Sequence, residues 1–239
     1  MKKYLIAFLF FIFFVGKILS QNMNFEFDFA QFSYDSVSNY VEFYYSFNET
    51  CLKFIHTDTI DYVEGLLHVE IDDTTSGEAI VDRQWIIPNE VRDTSDMNRS
   101  LVGVIGFIIN EGAYKVIVIG SDRNNQQNKK IITDNFLVKP FLDQNVAVSD
   151  IQLASNIIQG SENTSSIFYK NTYEVTPLPA SVCGERQPVL FYYSELYNLQ
   201  RDSAPDNYRL DELVINSRGR IVSSSSKKVT SSINSRVEV

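Results

Sequence analysis

Alternation of apolar and polar side chains dominates the chain. Phe25, Phe27 and Phe29 alternate with Glu26 and Asp28. Val41, Phe43, Tyr45 and Phe47 share one side of their segment, and Leu67, Val69 and Ile71 alternate with His68, Glu70 and Asp72. Successive side chains of a strand point to opposite faces, so each stretch predicts a strand with one apolar and one wet face. Segments 100–109 and 114–120 are more apolar throughout and predict inner strands of a sheet, with Gly112 turning one into the other. Polar loops are predicted at 72–78 and 121–130, while Pro88 and segment 216–219 close further strands. Segment 149–157 is ambiguous: Ile151 and Leu153 fit a strand face, whereas Ile151, Ala154 and Ile158 fit a short helix. No strong helical stripe of useful length is present. Many short strands punctuated by turns predict an all-β chain built as an antiparallel sandwich.

The tetrapeptide Phe43-Tyr44-Tyr45-Ser46 recurs as Phe191-Tyr192-Tyr193-Ser194. Val41, Phe43 and Tyr45 match Val189, Phe191 and Tyr193 in alternation, as expected for the same strand of a duplicated unit. Pro177 and Pro179 interrupt the intervening chain, because proline lacks the donor that a ladder needs. The predicted organisation is a cleaved segment over 1–20, a first sandwich over 22–175, a proline-containing linker over 176–188, and the start of a second sandwich over 189–239. The second unit is shorter than the roughly 100 residues of an immunoglobulin-type sandwich, so it is expected to be incomplete. The tyrosine after the turn in 110–118 is similar to the sixth-strand start of immunoglobulin-like domains, which makes the expected fold a tandem immunoglobulin-like sandwich.

The first twenty residues combine Lys2 and Lys3, an apolar run and a small residue at Ser20, the pattern of a secretory signal. Export is therefore expected, with no stable membrane insertion after cleavage. Losing Lys2, Lys3 and Lys17 would take the formal net charge from −9 to −12. Such a surface repels nucleic acid, which is excluded as a partner. Two cysteines, Cys51 and Cys183, are too few for a disulfide framework and read as unpaired thiols or packing residues.

Candidate chemistry is sparse. His56 and His68 lack a partner at metal-ligand spacing, and no nucleophile elbow, phosphate loop or dinucleotide fingerprint occurs. Asp72, Asp73 and Glu78 crowd one loop, but their spacing departs from a calcium loop. No catalytic residue, cofactor or metal site is expected. Asn48, Asn98 and Asn163 open glycosylation triplets that matter only in a eukaryotic secretory path. Tyr44 and Tyr192 fall on the faces opposite Phe43 and Phe191. They are the candidate interaction surface, set against packing on the neighbouring domain, which is the preferred reading.

Segments 149–157, 167–179 and 188–199, with 82–85 and 112–125, resemble the GWxTD domain-containing proteins. The resemblance implies an exported protein of Bacteroidota-like or Ignavibacteria-like bacteria. It also implies a signal peptide, two immunoglobulin-like β-domains and a C-terminal domain bearing the GWxTD motif. That motif does not occur here; the sole tryptophan, Trp85, follows Gln84. The resemblance carries no catalytic residue onto this chain. The expectation is a non-catalytic β-sandwich of a bacterial envelope that binds a protein or presents a C-terminal domain. The alternative is a carbohydrate-binding module of an envelope enzyme.

Overall fold

A computed structural model describes residues 23–92, 99–141, 146–184, 188–200, 207–230 and 235–239. The proposed signal segment, Asn98 and the middle of the proposed linker lie outside these residues. The described chain is an all-β sandwich protein built from several antiparallel sheets. Its strands are β1 (Phe25–Ser33), β2 (Ser38–Asn48), β3 (Ile55–His56), β4 (Asp61–Asp73), β5 (Ala79–Glu90), β6 (Ser100–Asn110), β7 (Gly112–Asp122) and β8 (Asn125–Val138). They continue with β9 (Ala147–Val148), β10 (Gln152–Gln159), β11 (Tyr169–Lys170), β12 (Tyr173–Pro177), β13 (Phe191–Tyr197), β14 (Asn207–Ile215), β15 (Ile221–Thr230) and β16 (Arg236–Glu238). The ambiguous segment 149–157 resolves largely as strand. Among the described residues no helix is long and apolar enough to cross a membrane.

The chain divides into two compact units. Of the described residues, the first comprises 23–27, 46–92, 99–101 and 114–136; the second comprises 28–45, 102–113 and those from 137 onward. In the first unit β4 pairs with β5 along its length, and with β3 and β7 on its other edge, while β8 follows β7. The period-two pattern explains the core. Val63, Leu67, Val69 and Ile71 of β4 are buried with Val116 and Val118 of β7. Phe25 and Phe47 meet at 4.7 Å between ring centroids. Their rings occupy the space that glycines leave open: a Cβ on Gly120 would fall 2.2 Å from Phe25 Cγ, and one on Gly65 would fall 3.2 Å from the Phe47 ring. The β4–β5 turn is closed by the Asp73 carboxylate, which accepts from the amides of Thr75 and Ser76. Those bonds hold its pKa down, so this acid of the crowded loop serves the turn itself.

In the second unit, a sheet ordered β1-β2-β6 and one ordered β11-β12-β10-β13-β16 share a core of Ala30, Phe32, Tyr44, Ala154, Val175 and Tyr193. β9 continues the β10 side of β13, with Leu196 opposite Val148. Between them, the Ser149 hydroxyl accepts from Glu195 N and the Ser149 amide donates to Glu195 O, bridging the break in the ladder. β14 and β15 form a separate two-stranded hairpin.

Three sequence expectations change here. β6 and β7 do flank a turn at Glu111, but they enter different sheets instead of forming one hairpin. The linker expected over 176–188 does not separate two sheets: β12 runs to Pro177, and β10 pairs with both β12 and β13. The boundary expected at 189 therefore falls inside the second unit, whose last continuous segment is 137–239. The two FYYS copies consequently do not mark equivalent strands of two domains. They lie in the two sheets of one sandwich, and Tyr44 of one meets the same core as Tyr193 of the other.

Gly120→Ala is expected to lower the unfolding free energy by about 1–3 kcal/mol through overpacking against Phe25. Gly184→Ala, where nothing lies within 4 Å of the added carbon, is expected to change it little. Urea denaturation of both variants checks the difference.

Candidate functional site

β2 alternates as predicted, yet both of its faces are buried. Val41, Phe43, Tyr45 and Phe47 are inside, and so are Glu42, Tyr44 and Ser46. The second face is covered because β2 lies between β1 and β6 while its even-numbered side chains join the core shared with β10, β12 and β13. Tyr44 is 2% exposed and offers no surface to a partner. Tyr192 is half-buried; burial and its hydrogen bond to Glu212 raise its pKa to about 12. The structure therefore does not bring Tyr44 and Tyr192 together as an outer aromatic face.

It assembles instead a polar cluster in the core of the second unit. Lys170, at the end of β11, forms an ion pair with Glu42 of β2, and the two side chains are 15% and 11% exposed. The Lys170 Nζ also donates to Gln152 Oε1 at 2.6 Å. Three rings surround the ammonium: Phe32 at 4.4 Å, Tyr193 at 4.8 Å and Tyr44 at 5.8 Å from Nζ to centroid. The negative ring faces stabilise a desolvated cation by on the order of 2 kcal/mol. The Tyr44 hydroxyl donates to Glu42 Oε2 at 2.7 Å, so the acid is held as well as paired. Burial lowers the Lys170 pKa, while the charges of Glu42 and Glu195 and the bond to Glu42 oppose that shift.

A second shell of bonds centres on Glu195. Its carboxylate accepts from Tyr193 Oη at 2.6 Å, Tyr197 Oη at 2.7 Å and Asn171 Nδ2 at 2.8 Å. The Asn171 amide also donates to Tyr193 Oη, and the Ser33 amide donates to Tyr197 Oη. Asn171 and Thr172 form the two-residue link between β11 and β12, with φ of 47° and 69°. Positive φ at both positions suits the twist of a tight hairpin. Asparagine tolerates it, but a β-branched threonine there is strained. The strained link fixes Lys170 and Asn171 over the cluster.

Asn171, Tyr173 and Glu195 also line a cleft of about 530 Å³ with Ser235, Arg236 and Val237. Beside it, Lys227 bridges Glu212 and Glu238, and Arg236 pairs with Glu238 at 2.6 Å. His56 and His68 are each held by a single carboxylate, Asp61 and Asp82. Among the described residues no group of three metal-ligating side chains comes together, and neither Cys51 nor Cys183 is in a disulfide. Comparison with family models, curated proteins and solved structures returned no match.

The pH response follows from the buried rings. Burial raises the pKa of Tyr44, Tyr193 and Tyr197 above the ordinary 10.0, with the charge of Glu42 adding at Tyr44 and that of Glu195 at Tyr193 and Tyr197. Their contribution to stability is fully present below about pH 10 and is lost above it. The lowered Lys170 pKa acts with opposite sign, relieving its penalty as pH rises toward 10.5, but it is one group against three. These three rings are expected to stay un-ionised in the folded protein. In an alkaline titration their tyrosinate absorbance should rise together with loss of circular dichroism. Their ionisation with the dichroism intact would contradict the assignment.

Proposed function

We propose that this is an exported, non-catalytic β-sandwich protein of a bacterial envelope that acts by binding another protein, directly or while presenting a C-terminal domain. The observation that carries the reading is the β14–β15 hairpin. Leu213, Val214, Ile215, Ile221 and Val222 are between 50% and 61% exposed on its outer half. Both of its faces are apolar there, since Leu213 and Val214 are successive residues of one strand. A two-stranded hairpin is marginally stable alone, and exposed apolar side chains on both of its faces favour cover by another surface. The polar groups around Lys170 and Glu42, by contrast, are committed to one another. The N-terminal signal pattern supports export, and the resemblance to GWxTD domain-containing proteins supports an envelope setting.

The cleft supports a second reading, a carbohydrate-binding module. Asn171, Glu195 and Arg236 offer donors and acceptors beside the ring of Tyr173, the mix that orients a polar ligand.

The test uses the full chain, expressed with its own N-terminus in a Gram-negative host. It is expected outside the cytoplasm with a new N-terminus near Gln21. A photo-crosslinker at position 214 should capture an envelope protein, and the Leu213→Asp/Ile221→Asp variant should abolish that capture. A glycan-array signal lost on Tyr173→Ala, without protein capture, would establish the second reading instead.

A further inference from the structure

We propose that Lys170 and Gln152 are partners in an intramolecular isopeptide bond, formed inside the second unit with Glu42 as the proton-transferring group. Four observations meet at one point. The Lys170 Nζ lies 2.6 Å from Gln152 Oε1, which places it beside the carbonyl carbon of the same carboxamide. Gln152 is 1% exposed, so its carboxamide is shielded from water. Glu42 contacts the same Nζ and is oriented by the Tyr44 hydroxyl. Phe32, Tyr44 and Tyr193 enclose the amine.

Amines and primary amides do not condense in water at neutral pH, because the amine is protonated and nothing moves the protons. Here both obstacles are reduced. Burial favours the neutral, nucleophilic amine of Lys170. Fixed neighbours convert the encounter into a unimolecular step, which is worth several orders of magnitude when reacting atoms are held in contact. Glu42 takes a proton from the Lys170 ammonium. The amine attacks Gln152 Cδ, forming the Nζ–Cδ bond, and Glu42 returns that proton to Nε2 as the Cδ–Nε2 bond breaks; Glu42 then takes the second proton from Nζ, leaving the neutral amide, and passes it to the departing ammonia. The nitrogen leaves as ammonium, carrying away the charge that Lys170 began with, and Glu42 is regenerated as the carboxylate. The step needs no oxidant and no second substrate.

The bond would close a loop between positions 18 residues apart and tie β10 to β11. It would serve an exported protein whose two cysteines form no disulfide crosslink. It would also replace a buried ammonium, which is costly, by a neutral amide.

The test is peptide mapping of the purified full chain. Trypsin does not cleave the Lys139–Pro140 bond efficiently, so an unlinked chain yields peptides 131–170 and 171–186. The linked chain is expected to yield one peptide, 131–186, uncut at Lys170 and lighter by one ammonia, with fragmentation failing between Gln152 and Lys170. Reading the peptide matters because an N-terminal glutamine at position 21 also loses ammonia on cyclising. Lys170→Arg is expected to restore cleavage after position 170 and the full peptide mass. Glu42→Gln is expected to leave the peptides unlinked while Gln152 and Lys170 remain. Free cleavage at Lys170 with full mass in the folded wild-type chain would overturn the proposal. Linkage unchanged in Glu42→Gln would overturn the role given to Glu42.

Discussion

A lysine and a glutamate buried between two β-sheets are a cost before they are an asset. Removing each charge from water costs several kcal/mol, and mutual attraction offsets this only when the remaining donors and acceptors are satisfied. Around Lys170 and Glu42 they are. Gln152 accepts from the ammonium, Tyr44 donates to the carboxylate, and three aromatic rings line the cation. Every sheet strand with a side chain in this cluster is thereby constrained in register. A one-residue slip would turn Tyr44 or Tyr193 to the opposite face and leave the pair uncompensated. The strained Asn171-Thr172 link, the Ser149 bridge and the Glu195 bonds all hold groups in place around that pair.

Much of this was readable from the residues and some was not. The alternation at Leu67, Val69 and Ile71 places β4 correctly, and the excess of such stretches gives the all-β class. The fate of Tyr44 was hidden because period two tells which residues share a face but not what covers it. Glu42, an acid in an aromatic strand, made the second face of β2 read as wet, because a buried acid needs partners that the local sequence does not show. Lys170, between Tyr169 and Asn171, likewise read as a solvent-facing lysine. Pro177 was misleading for a physical reason. A proline excludes a ladder donor at its own position, yet it can end a strand, as it ends β12 beside β10. The FYYS repeat suggested duplication because sequence similarity ignores sheet partnership. In the fold the first copy uses its first tyrosine and the second copy its second to reach one core.

The same separation of inside and outside shapes the functional reading. The polar chemistry of the second unit is turned inward, where it organises a sandwich and sets up the Lys170–Gln152 contact. An apolar display is turned outward, on a hairpin whose sheet has two strands among the described residues. An inward network rigidifies a scaffold, whereas an outward aliphatic tip gains most by meeting another surface. The proposed role as a support for protein contacts rests on this pairing of an ordered interior with an apolar hairpin tip.

Native-state hydrogen exchange tests the central claim, that β2 and β13 belong to one cooperative sandwich built around the buried pair. The protected amides of both strands should open together, with the same free energy and the same dependence on denaturant. Exchange of β13 through a separate and much cheaper opening, with β2 still protected, would mean that the two FYYS strands stand in independent units and would contradict the account.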